Sequence, residues 1–186
     1  QDLYESNNKG LTWNLLKTFT EWIRSILVSS IDDCIFIAPQ WGSNQIPGIY
    51  KSSDLGSSWA YHAFGISPSA ILCWDIEEDS KTGIIYVSTE VEDHIQPYDP
   101  PFFRSFDRGV SWDEISGTLP WHVIKIQVDT TTQSVYALTE GGGLYKSSNF
   151  GDDWRFLDNS FWTALLLDPK HPNRLFGGTH TIHRGG

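Results

Sequence analysis

Three acidic side chains, Glu90, Asp93 and Glu140, are of the type that cleaves glycosidic bonds. Two such carboxyl groups held about 5–10 Å apart can act as acid and as base or nucleophile. A second group suits binding. Trp22, Trp41, Trp121 and Trp162 offer flat apolar rings, with Tyr98, His94, His122 and His180 among them. Sugar rings present C–H faces that stack on such aromatics, and neighbouring acids bond their hydroxyls. Large aromatics equally fill hydrophobic cores. Trp22, Trp121 and Trp162 suit that role first, whereas Trp41, between Gln40 and Gly42, suits exposure. Glu90, Asp93 and Asp99 carry the oxygen ligands calcium uses. They follow no dedicated ligand spacing, so solvated loop charges are expected, with no metal and no cofactor. No nucleophile–base pattern and no phosphate-binding glycine loop is visible. The run Gly141-Gly142-Gly143 reads as a hairpin.

Whether these residues converge depends on the elements that carry them, and the chain is built on a repeat. Tyr4–Trp13, Tyr50–Trp59, Phe103–Trp112 and Tyr145–Trp154 share one pattern: aromatic, charged, Ser, any, Asp or Asn, any, Gly, two more, Trp. The repeated residues are Ser6, Asn8, Gly10 and Trp13; Ser52, Asp54, Gly56 and Trp59; Ser105, Asp107, Gly109 and Trp112; Ser147, Asn149, Gly151 and Trp154. The serines are 46, 53 and 42 residues apart, a period that suits a propeller blade. Asp or Asn holds a tight turn through nearby backbone amides. Gly supplies a positive φ that other residues resist. Ser closes the turn, and Trp folds its ring back beneath it.

This pattern resembles the Asp box, or BNR repeat, of sialidases, xyloglucanase-type glycoside hydrolases, sortilin-type receptors and photosystem assembly propellers. The resemblance spans nearly the whole chain. It implies an all-β protein, a β-propeller or partial propeller of four-stranded antiparallel blades. In those families the box is structural and far from the active site. Asn8 and Asn149 replace Asp but keep the amide-bonding oxygen. Location outside the cytoplasm, extracellular or periplasmic, is implied by the same analogy.

Between the boxes the sequence reads as strands, with no helix period. Three blades are expected at about 22–64, 69–115 and 121–157, and a fourth begins at 162. The whole chain, 1–186, reads as one domain of about four blades, incomplete at both ends. It could close as a small ring, belong to a larger propeller, or assemble from several arcs; an incomplete or excised propeller is favoured. Unpaired edges on an arc invite self-association.

If the strands of each blade are labelled A to D in chain order, the boxes are the C–D turns; they share one face with the A–B turns, and the D–A and B–C connections share the other. The opposite face therefore carries the candidate residues named above. The long loop from Thr89 to Pro101 holds Glu90, Asp93, His94 and Tyr98. Sialidases of this type bind the substrate carboxylate with an arginine cluster. The six Arg here, at 24, 104, 108, 155, 174 and 184, assemble no such cluster. A noncatalytic module binding a glycan or protein is the expectation, and a diverged glycoside hydrolase is the second reading.

Bulk properties agree. The 186 residues carry 13 Lys and Arg against 23 Asp and Glu, net −10. That charge argues against nucleic acid and against anionic membranes. Nine Trp and 39% hydrophobic residues indicate a packed core. No apolar run reaches the length of a membrane span. Met is absent, so the chain is expected to start after a processed leader or to be excised from something longer. Cys34 and Cys73, in apolar runs, are expected to be buried free thiols.

Overall fold

Sixteen strands form in a computed structural model that describes residues 1–40, 46–65, 71–91 and 101–179. The first pair is β1 (Asp2–Glu5) and β2 (Asn14–Thr18). One four-stranded sheet follows from β3 (Ile23–Val28), β4 (Ile35–Pro39), β5 (Gly48–Ser52) and β6 (Ala60–Ala63). A second comprises β7 (Ile71–Glu78), β8 (Ile85–Val91), β9 (Phe102–Ser105) and β10 (Asp113–Glu114). The third is β11 (Val123–Asp129), β12 (Ser134–Thr139), β13 (Leu144–Ser147) and β14 (Arg155–Asp158). The last pair is β15 (Trp162–Leu167) and β16 (Leu175–Thr179).

Every pairing is antiparallel between chain neighbours. Each sheet is therefore a meander, and the first strands β3, β7, β11 and β15 lie side by side. These are blades of a partial β-propeller. The sheets β1–β2 and β15–β16 are separate, so the ring is not closed among the described residues. The continuation of the fourth blade, residues 180–186, lies outside the described residues.

The core lies between blades. Phe36, Ala38 and Ile49 of the first sheet pack with Ile76, Ile85, Val87 and Phe103 of the second. Tyr86 and Phe102 of the second pack with Ile126, Val135 and Ala137 of the third. Both faces of the middle strands are covered, so β12 is buried at every position. Cys34 and Cys73 are buried and free, and burial pushes the Cys73 thiol up to about 12. Side chains also span the seams. The Asp75 carboxylate accepts the Ile126 N–H (3.0 Å) and Lys125 Nζ (2.8 Å), and Gln127 Oε1 accepts the Leu167 N–H (2.8 Å). Each seam thus satisfies backbone donors at an inner strand edge that no neighbouring strand pairs.

All four Ser–Asp/Asn–Gly turns close alike. The Ser hydroxyl accepts the Gly N–H, at 2.8 Å in Gly10, Gly56 and Gly151 and 2.7 Å in Gly109. The same hydroxyl donates to Oδ1 of Asn8, Asp54, Asp107 or Asn149. That oxygen also accepts the N–H four residues on, in Thr12, Ser58, Ser111 and Asp153. Two successive residues are left-handed. Gly109 has φ 81°, and Arg108 before it has φ 63°. Three of the turn tryptophans pack against the preceding blade: Trp59 on Phe19, Trp112 on Phe64, and Trp154 on Phe102. Trp13, in the first turn, is 61% exposed.

Arg108 leaves its turn to join two blades. It donates to Glu78 and to Ser29 Oγ (2.6 Å), and pairs with Asp32 (2.8 Å). Glu78, nearly buried, also accepts the Ser29 hydroxyl and the Ser30 N–H, both at 2.8 Å. Arg104 similarly donates to Phe150 O (3.0 Å) and Asp152 (2.8 Å).

Candidate functional site

The face opposite the four turns is organised by a repeated irregularity. Every first strand shifts register near its start: between Ile23 and Ser25, Cys73 and Asp75, Val123 and Lys125, and Trp162 and Ala164. Arg24, Trp74, Ile124 and Thr163 are therefore equivalent bulged residues. A bulge re-aims a side chain at a sheet margin. One step before the bulge and its partner come the pairs Trp22 with Gln40, Leu72 with Glu90, and His122 with Glu140. The Gln40 N–H donates to Trp22 O (2.7 Å), the Glu140 N–H donates to His122 O (3.0 Å), and Leu72 pairs with Glu90. Gln40, Glu90 and Glu140 thus end the second strands of three blades at one level.

These residues form a stack across three blades. The Arg24 guanidinium lies 4.0 Å over the Trp74 ring. His122 stacks on Trp74, with centroids 5.7 Å apart and planes 15° apart. Trp74 Nε1 donates to Glu90 Oε2 at 2.9 Å. His122 Nε2 lies 3.9 Å from that same Glu90 oxygen, and His122 Nδ1 lies 3.7 Å from Glu140 Oε2. Both separations exceed hydrogen-bond length. His122 is 7% exposed, and its Nε2 has no hydrogen-bond partner among the described residues. Glu90 and Glu140 thus flank one buried imidazole.

The tryptophans divide. Trp22 is 65% exposed and Trp121 is 50% exposed. The expectation that they fill the core is therefore corrected. Each ring stands where its blade begins, beyond the reach of the facing sheet. Trp22 helps line an open pocket of about 480 Å³ with Thr20, Glu21 and Gln40. Trp121 lies over the next hairpin, since a methyl at Gly141 would sit 3.9 Å from its Cδ1 and Nε1. Trp162 is half-buried among Leu138, Leu144 and Leu165, and its Nε1 donates to Asp158 (2.6 Å). His122 is buried rather than exposed, between Glu90 and Glu140. Trp41, Asp93, His94, Tyr98 and His180 lie outside the described residues. Among those described, no group of three or more His, Cys, Asp or Glu could hold a metal. No described helix is long and apolar enough to cross a membrane.

Arg24 and Trp74 were not among the expected site residues, although Trp74 stands on the right strand. Their juxtaposition follows from the bulge, which no local sequence signal marks.

No family model matches the chain, and no curated protein sequence matches it. Solved structures do share its fold. An ancestral GH74 enzyme matches with TM-score 0.70 and 18% identity, over 92% of this chain and 25% of that one. YCF48 from Cyanidioschyzon merolae matches with TM-score 0.52 and 18% identity, over 75% of this chain and 38% of that one. The NanB sialidase from Streptococcus pneumoniae matches with TM-score 0.56 and 16% identity, over 85% of this chain and 28% of that one. These neighbours are β-propellers of the BNR, or Asp-box, type. At such identities the likeness is one of fold. The chain spans between 25% and 38% of their lengths.

Proposed function

We propose that the four turns are Asp boxes and that the chain is a noncatalytic binding module. Its ligand, a glycan or a protein, docks on the face opposite the boxes. One observation carries this reading: Trp22 and Trp121 expose 65% and 50% of their surface on that face, Trp22 beside an open pocket. Exposed aromatics on a rigid scaffold are binding groups of high capacity. Glu90 there is already engaged, accepting from Trp74 Nε1. A neighbouring fold, YCF48, has been captured with a D1 peptide, which supports a protein ligand.

Glycan-array screening followed by calorimetry on any hit tests the reading. Trp22→Ala is expected to weaken binding at least tenfold without unfolding the protein. Unchanged affinity in both Trp22→Ala and Trp121→Ala would refute it.

A second reading, a diverged or partial Asp-box glycoside hydrolase, is favoured by Glu90 and Glu140 flanking His122. It requires turnover of an aryl glycoside that is lost in Glu90→Gln or Glu140→Gln. Absence of turnover across sialosides and β-glucans removes it. An extracellular or periplasmic location belongs to the same proposal, and fractionation of the source cells tests it.

A further inference from the structure

We infer that the Trp121–Glu140 corner receives an arginine or lysine side chain from a basic segment of a partner protein. The inference rests on the reading of this face as a binding face, and it names the partner's chemistry.

The molecule already combines a carboxylate, a tryptophan ring and a cation at one place. In the second blade, Glu90 bonds the edge of Trp74 at 2.9 Å while the Arg24 guanidinium covers the ring face at 4.0 Å. A ring quadrupole attracts a cation placed within about 6 Å of its centroid. A nearby carboxylate adds to that attraction. Glu140 occupies in the third blade the position of Glu90 in the second. Trp121, which precedes the bulge rather than occupying it as Trp74 does, lies over Gly141, next in the chain to Glu140. Trp121 is 50% exposed, and the Glu140 side chain is 64% exposed. Glu140 has no Lys or Arg partner among the described residues.

The second observation is His122. Its side chain is more than nine-tenths buried, it lies between the two carboxylates, and its Nε2 makes no hydrogen bond. Buried polar atoms are rarely left so. A guanidinium or ammonium entering beside Glu140 brings N–H donors to that carboxylate and to Nε2 in the tautomer that leaves it unprotonated, while Glu90 keeps its bond from Trp74 Nε1. Charge favours the same partner. The chain is −10 overall, and Arg24 of the neighbouring stack is already laid on Trp74. Acidic ligands would be repelled by Glu90 and Glu140.

The test is calorimetric titration of the intact chain with an acetylated, amidated Gly-Arg repeat hexapeptide. Its citrulline counterpart keeps the shape and removes the charge. The arginine peptide is expected to bind, and the citrulline peptide to bind about tenfold more weakly or not at all. Glu140→Gln and Trp121→Ala are each expected to weaken the arginine peptide several-fold. Asp33→Asn, which removes the same charge from the first blade's opposite-face turn, should leave it unchanged. Failure of the arginine peptide to bind overturns the inference. So does equal binding of the citrulline peptide, or an equal loss in Asp33→Asn, which would mark diffuse electrostatics. Glycan binding that is lost in Trp22→Ala would survive any of these failures, so the broader reading stands or falls separately.

Discussion

Replacing one turn serine by alanine should cost very different amounts in different copies of the same motif. Ser105 is 1% exposed, and its hydroxyl accepts the buried Gly109 N–H at 2.7 Å while donating to Asp107 at 2.8 Å. Ser105→Ala strands a buried backbone donor, which costs about 1–3 kcal/mol, and removes a hydrogen bond to a charged acceptor worth about 1.5–3 kcal/mol. Part of the second contribution is recovered, because Asp107 keeps the Ser111 N–H and hydroxyl. The expected loss is therefore about 2–4 kcal/mol. Ser6 makes the same bonds to Gly10 (2.8 Å) and Asn8 (3.0 Å), but in an exposed turn. Water replaces them there, and Ser6→Ala should cost about 1 kcal/mol or less. Urea unfolding of both variants at neutral pH, followed by Trp fluorescence, measures the difference. Equal losses at the two positions would refute the premise that burial, rather than the turn's own bonds, sets the cost.

Other expectations concern charge. The Glu77 carboxyl is raised to about 7 by burial and by Asp75, against Lys125. A raised acid favours the folded state while protonated, so this contribution is lost as pH climbs from about 4.5 through about 7. Glu77→Gln should therefore stabilise the protein by about 1–2 kcal/mol at pH 8 and be near neutral at pH 4, read from thermal melts at both. Asp107 runs the other way. Burial raises it, but the Ser111 hydroxyl and N–H and the Ser105 hydroxyl hold it at about 2. Its contribution is present above about 4 and lost as pH falls through about 2. Asp107→Asn, the residue type found in the first and fourth turns, should blunt acid unfolding over that window, followed by circular dichroism. Arg108→Ala leaves Glu78 buried without its cation and should cost about 3 kcal/mol in urea.

The turns and blades were legible because the physics that makes them is local. Ser, Asp or Asn, Gly and Trp of each box lie within eight consecutive residues and bond one another, so a sequence pattern contains the whole structure. Blade limits followed from the turns: 22–64 became Ile23–Ala63, and 121–157 became Val123–Asp158. One feature of the turns was hidden. Lys9, Leu55, Arg108 and Phe150 are left-handed too, and none is a residue type that announces it. The Ser and Asp or Asn bonds on either side hold that conformation. The site was only half legible. Glu90 and Glu140 were placed on one face by topology alone. Their common level depends on a bulge in each first strand, and a bulge leaves no compositional mark. It also decides that Arg24 meets Trp74 and that His122 is buried while its neighbour Trp121 is exposed.

The cations explain why the acids on that face matter. Arg104 on β9 and Arg108 in the turn after it clamp adjacent blades, and Lys125 pairs with Asp75 and Glu77 across a seam. Arg174 pairs with Asp168 inside its own hairpin. These positive groups are consumed by structure on the seams and turn face. Arg24 reaches the stack on the other face, and it lies on a tryptophan rather than against a carboxylate. Glu90 and Glu140 are left facing an imidazole that bonds to neither of them. A fold that neutralises its seams this thoroughly, and leaves two carboxylates beside an exposed Trp121, holds its negative potential where a ligand would approach. A cationic partner gains from that potential, and raising ionic strength should weaken its binding.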